Sequence, residues 1–232
     1  MDIAQLRAEL EADQSWRLDE IRRLQNLAEQ IPNKSDQDQF RRSLVLLLYA
    51  HFEGYCKFAL TVYVNSINAA KIKCGEANFA IVAASFDGIF QQLRDPDKKS
   101  DVFRKSLPDD KKLHRFARER EFLEKTADFA ERSVQIDERY IDTESNLTPI
   151  VLRKNLYKLG FPYNLFEPHE DKLNMLIEYR NGIAHGRTKE GMSFAKYEKI
   201  RNSAIEVMEE MTRQITRAMR EKWYLRNQSP LV

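Results

Sequence analysis

The sequence predicts an all-α helical bundle with a long amphipathic C-terminal helix and a charged helical insertion. Only 7 Gly and 7 Pro punctuate 232 residues, while 32% of the residues are charged. Apolar residues also recur at helical spacing over windows far longer than a strand. No segment shows the alternation of a half-buried strand or the turn chemistry of a hairpin. At this length a substantial core can be buried. A single domain over 1–232 is expected, with an N-terminal amphipathic helix in 1–34 and the charged insertion at about 91–121.

The first helix runs through residues 2–31. Ile3, Leu6, Leu10, Trp16, Ile21, Leu24, Leu27, Ala28 and Ile31 form its apolar stripe, and Pro32 ends it. A second helix opens at "SDQD", with Ser35 as N-cap and Asp38 in the capping-box position. Through "LVLLLYAHFEGYCKFALTVYV" it is apolar on most sides, so it belongs at the centre of the bundle. The middle carries one helix in "NFAIVAASFDGIFQQL" and another in "EREFLEKTADFAERSV". Between them lies a solvated segment whose basic residues (Arg104, Lys105, Lys111, Lys112, Arg115, Arg118, Arg120) alternate with acids. A nucleic-acid strip is the alternative reading of that cluster. Thr148 then caps a helix with Pro149 at its first position, and Gly160 closes it. A helix from about Pro168 uses Leu173, Leu176, Ile177 and Ile183 as its core face, with Gly186 as C-cap. The last helix runs from about Ser193 to Trp223, with Tyr197, Ala204, Met211 and Ala218 seven apart.

Several function classes lose support. The net charge of +2 gives no global electrostatic footprint. Cys56 and Cys74 lack metal-type spacing and read as buried thiols in a reducing compartment. The N-terminus has no signal-peptide core, and "LVLLLYA" is too short to span a bilayer, so a cytoplasmic protein without a membrane partner is expected. His51, His114, His169 and His185 are scattered without ligand spacing, and no phosphate-cradling glycine loop or nucleophile elbow occurs. No metal and no cofactor is expected. A DNA-binding regulator has little support, for want of a short helix-turn-helix with a basic second helix.

The segment with chemistry to offer is "LIEYRNGIAHGRTKEG", residues 176–191. A helix packing its apolar face needs neither Arg180, Asn181 nor His185. Arg180 and His185 are offset by roughly 140° on an unbroken helix, so a group touched by both must sit in a cleft where the helix ends or bends. Gly182 and Gly186 allow such an irregularity, and a second polypeptide could supply the other wall. An imidazole can take a proton from a ribose 2′-hydroxyl or give one to a leaving oxygen near neutral pH. A guanidinium presents a planar fork to a phosphate and stabilises the charge that develops on it. Asn181 could orient the histidine or hold a phosphate oxygen. The competing reading is a polar helix end, since Arg and His are favoured there by the macrodipole alone.

"YRNGIAHG" is similar to the R-N-x-x-x-H signature of the HEPN superfamily, and two further stretches resemble its RiboL-PSP-like branch. These are "LLYAHFEGYCKFALTVYV" and "SNLTPIVLRKNLYKLGF", in the same order, and the resemblance runs from about residue 40 to 215. It implies a four- or five-helix bundle that pairs as a homodimer, with both Arg-His helices facing one cleft. It implies a metal-independent endoribonuclease, the toxin of a toxin–antitoxin pair or a phage-defence effector. Arg180 would bind and polarise the scissile phosphate of an RNA substrate, His185 would be the general base or acid, and Asn181 would support them. Glu53, on the central helix, is nominated as an auxiliary; its alternative is a helix-surface pair with Lys57. Some relatives carry a Tyr two residues after the His, the target of a silencing modification. Arg187 stands there in this chain, which points to a protein antitoxin or defence-system partner acting by direct binding. The alternative function is a non-catalytic HEPN interaction module, an antitoxin-like partner or adaptor.

Overall fold

A computed structural model describes residues 2–100, 110–228 and 230. Among them are eight α-helices: α1 (Ile3–Glu29), α2 (Lys34–Ala70), α3 (Phe79–Ser85), α4 (Asp87–Arg94), α5 (Lys111–Thr126), α6 (Pro149–Lys158), α7 (Glu170–Ala184) and α8 (Phe194–Arg220). Short 3-10 turns lie at Phe129–Glu131, Glu138–Tyr140 and Glu167–His169. The described residues hold no strand, only the isolated bridges Lys73–Ser133 and Ala77–Leu225. Nor is any described helix long and apolar enough to cross a membrane.

α2 is the axle. Its 37 residues span about 55 Å at the standard helical rise. It packs against α1, α7 and α8, and α8 also touches α1 and α7. Val45, Leu48, Phe52, Tyr55, Ala59, Leu60, Tyr63, Val64 and Ile67 are all at most 1% exposed, so the helix that the sequence marks as apolar on most sides is the buried one. Both cysteines are buried and free. In the core the Tyr55 hydroxyl meets Thr212 Oγ1, which also lies 3.1 Å from Gln14 Oε1, whereas the buried Tyr197 hydroxyl has no hydrogen-bond partner among the described residues.

The termini show local chemistry at work. Asp2, Asn33, Asn78, Asp110 and Thr148 each accept a bond from a first-turn backbone N–H. The cap of α2 is therefore Asn33, not Ser35. Asn33 Oδ1 takes the Ser35 N–H at 2.8 Å, while Asp38 turns to Arg41 at 2.5 Å rather than back to the backbone. On α1 the buried line is Leu6, Leu10, Gln14, Ile21 and Ala28; of the expected stripe, Ile3 and Leu24 are half-buried and two members are exposed. Trp16 is 50% exposed and Leu27 52%, because Trp16 stands about 200° around the helix from Gln14 and Leu27 about 100° from Ala28.

The middle departs furthest from expectation. The stretch expected as one helix is divided into α3 and α4 at Phe86, which buries its ring at 4% exposure and leaves α-helical geometry at φ −98°, ψ 5°. α5 begins at Lys111, inside the charged segment, and pairs with α4 as a helical hairpin. Arg104 and Lys105 lie outside the described residues. Arg115 and Arg120 pair one turn along the helix with Glu119 and Glu124, at 2.8 and 2.7 Å, as a solvated face does.

Candidate functional site

α7 is regular from Glu170 to Ala184. It sets Leu173, Leu176, Ile177 and Gly182 against the core. Arg180, a turn beyond Leu176 and half-buried, therefore leans toward α2. Its guanidinium carbon sits 4.8 Å from the centroid of the Tyr49 ring. Its Nη1 donates to Asn181 Oδ1 at 2.8 Å. Arg has no acceptor, so the Asn181 amide must turn its oxygen toward Arg180 and its NH₂ outward. The Nε and Nη2 donors of Arg180 have no partner among the described residues, so one edge of the fork is open for a planar anion.

Tyr49 is a site residue that sequence reasoning did not single out. It is 2% exposed. Its hydroxyl donates to Asn146 Oδ1 at 2.9 Å and accepts the Leu147 N–H at 2.8 Å. Burial, which disfavours the phenolate, pushes its pKa up to about 12. The Leu147 N–H and Arg180 pull it down, and Glu53 adds to the rise. Glu53 lies one turn along α2 from Tyr49 and is half-buried. Among the described residues it forms no ion pair, with Lys57 or any other, so the helix-surface pair is not what holds it there. The structure thus brings Arg180, Asn181, Tyr49 and Glu53 to one place, where α7 crosses α2.

His185 is placed differently. It is the residue that ends α7, exposed, with its backbone N–H on Asn181 O at 3.0 Å. Its ring has no hydrogen-bonding partner among the described residues. The angular offset read from the sequence is preserved: Arg180 turns inward, His185 outward. The helix then reverses through Gly186, whose φ of 71° suits a residue without Cβ; the C-cap is His185, so Gly186, expected as the cap, lies one position beyond it. The Gly182 carbonyl accepts from both Arg187 N (2.8 Å) and Thr188 N (2.9 Å), folding the chain back along α7. Arg42 Nη1 then holds Lys189 O at 2.7 Å, and Met192 N donates to Asp38 O at 2.8 Å. The segment after His185 is therefore strapped to the first turns of α2.

Other clusters do not compete. A groove of about 540 Å³ between α1 and α8, lined by Arg7, Gln14, Arg213 and Arg217 among others, includes none of these residues. Among the described residues no three His, Cys, Asp or Glu side chains converge as metal ligands.

The model of the RiboL-PSP-HEPN family matches residues 12–217, most of the chain and all of the site. No curated protein and no solved structure matches it. HEPN domains are helical bundles that often act as ribonucleases and often dimerise. With α2, α7 and α8 forming the bundle and the Arg-Asn-His set at the end of α7, the chain belongs to the RiboL-PSP-HEPN family.

Proposed function

We propose that this protein is a metal-independent endoribonuclease of HEPN type, acting as the toxin of a toxin–antitoxin pair or as a phage-defence effector. The observation that carries it is the state of Arg180: rotation fixed by Asn181, face against Tyr49, and the Nε/Nη2 edge open. Such a group is preorganised to take two oxygens of a phosphodiester and to stabilise charge as the 2′-oxygen attacks phosphorus. His185, exposed at the helix end, is free to exchange protons as general base for the 2′-hydroxyl or general acid for the leaving 5′-oxygen. The outward NH₂ of Asn181 can donate to a phosphate oxygen. Glu53 lies close enough to raise the Tyr49 pKa and serves as an auxiliary that keeps the inner end of the site polar.

Because Arg180 faces inward and His185 outward, an RNA strand meets both most readily between two copies of α7. A homodimer with His185 of each subunit at a shared cleft is therefore the working assembly. A protein antitoxin or defence-system partner that covers this cleft would silence the enzyme by direct binding.

The test is RNA cleavage by purified protein with and without EDTA, alongside growth on expression. His185→Ala is expected to lower the cleavage rate about 10²–10⁴-fold, the range for a lost general acid or base. Arg180→Ala is expected to cost about 10²–10³-fold, as for a lost transition-state donor. EDTA should change nothing. Cleavage that depends on added metal, or that survives both substitutions, refutes the proposal. Partner binding with no cleavage at all would make the chain a non-catalytic interaction module.

A further inference from the structure

We infer that Tyr49 is a positioning residue: its ring is the floor that holds the Arg180 guanidinium, and the Asn146–Leu147 corner locks that floor in place. The inference rests on the ribonuclease reading but names a residue and a loop that the Arg-Asn-His set does not include.

Three observations meet here. The ring of Tyr49 lies under Arg180, with 4.8 Å between guanidinium carbon and ring centroid, a cation–π distance. Its hydroxyl is held from two sides by one corner of the chain, donating to Asn146 Oδ1 and accepting from Leu147 N. A phenol held at both donor and acceptor cannot swing about its χ angles without breaking two bonds. The third observation is backbone strain just ahead of that corner. Glu144 (φ 50°) and Ser145 (φ 59°) are consecutive non-glycine residues in the left-handed region. Such residues persist where the surroundings over-determine them, and they cluster at functional sites. Asp142 Oδ1 accepts the Glu144 N–H at 2.8 Å, Asn146 N returns to Thr143 O at 2.9 Å, and Lys154 pairs with Glu144 at 2.9 Å. The product of this tight turn is that Asn146 Oδ1 and Leu147 N–H converge on one phenolic oxygen.

With the floor fixed, Arg180 has few degrees of freedom left. Tyr49 fixes where the guanidinium rests, and the bond to Asn181 limits how it turns there. The open edge is therefore aimed before substrate arrives, so Tyr49 acts on the chemical step through Arg180 and not on substrate binding at large.

The experiment combines kinetics with NMR on the full chain. Tyr49→Leu removes the floor and is expected to lower kcat about tenfold or more, with KM within about twofold, as for a lost partly desolvated cation–π contact. Tyr49→Phe keeps the ring but frees it, and Asn146→Ala frees it from outside the core. Both are expected to fall between wild type and Tyr49→Leu. In an Arg180→Ala background, Tyr49→Leu should change kcat less than about twofold, because positioning through Arg180 has nothing left to position. The Arg180 side-chain protons should show a ring-current upfield shift in wild type that persists in Tyr49→Phe and is lost in Tyr49→Leu. If Tyr49→Leu does not fold, Asn146→Ala and Tyr49→Phe decide the matter. An unchanged kcat, an equal loss with and without Arg180, or an unshifted Arg180 in wild type overturns the inference. If wild type cleaves no RNA, the ribonuclease reading has failed, and the Arg180 shift alone decides whether the floor exists.

Discussion

Gly182, between Asn181 and Ile183, is where a single methyl tests the architecture of the site. A Cβ at this position would lie 2.3 Å from Thr188 Oγ1 and 3.3 Å from Thr188 Cβ, because the strap after His185 folds directly over it. Real Cβ atoms do not tolerate 2.3 Å, so Gly182→Ala must push Thr188 outward. Thr188 cannot leave freely, since its own N–H and that of Arg187 are both held by Gly182 O. Overpacking of this kind costs about 1–3 kcal/mol, and loss of one such bond about 1 kcal/mol more. Alanine regains roughly 1 kcal/mol of helix propensity over glycine. The net expectation is a loss of about 2 kcal/mol, or about 4–8 °C in Tm for a domain of this size. Thr188→Ala removes the clashing oxygen, so in that background Gly182→Ala should be neutral or stabilising. Urea unfolding of the four proteins followed by circular dichroism gives the coupling, with unchanged m-values as the check on comparability. The reasoning is refuted if Gly182→Ala has the same effect on stability with and without Thr188. If the chain cleaves RNA as proposed, the single variant should also do so more slowly, because the displaced strap begins directly after His185.

The remaining predictions are briefer. Asn78 is 5% exposed, caps α3 through Ile81 N and donates to Trp223 O at 2.7 Å, so Asn78→Ala should cost about 2 kcal/mol or more in urea unfolding. The raised Tyr49 pKa means that the unfolded chain loses this proton near pH 10 and the folded chain near about 12. Stability from this group is then full below pH 10 and is lost as pH rises through that window; wild type should lose stability there faster than Tyr49→Phe. Burial holds the His51 pKa below its ordinary value against the opposing pull of Glu20, so its contribution is present above pH 6.5 and falls on acidification. His51→Phe should show a shallower decline below pH 6.5 than wild type, and an equal decline would assign the acid sensitivity elsewhere.

Much of this was readable in advance, for physical reasons that differ by element. α6 was explicit because Thr148, Pro149 and Gly160 do local jobs that need no tertiary partner; Gly160 indeed sits at φ 80°. The 140° offset was also readable, since it needs only a regular helix. Trp16 misled because an aromatic at approximate helical spacing looks like core; here it lies on the α1 flank, 4.6 Å from Arg17 and edge-on to His51 at 5.3 Å. Tyr49 was hidden for the opposite reason: inside a helix apolar on most sides, its ring looks like one more core residue. A signal existed in its spacing, because Tyr49 precedes the one acidic residue of that apolar stretch, Glu53, by a single helical turn. Nothing local could have linked it to Asn146 or Arg180, whose approach depends on how the helices pack.

The wide sequence separation of the site has a consequence for synthesis. Tyr49 and Asn146 are 97 residues apart, and Arg180 and His185 come later still. A nascent chain that has exposed only α1 to α6 already carries Tyr49 and Asn146 but neither Arg180 nor His185. Contacts between distant segments also form late in folding. A ribonuclease of the proposed kind would be synthesised beside the RNA of the ribosome itself. Under the proposed ribonuclease function, carrying Arg180 on α7 and His185 at its end, downstream of α1 to α6, leaves the nascent chain without its cutting groups until α7 has been made.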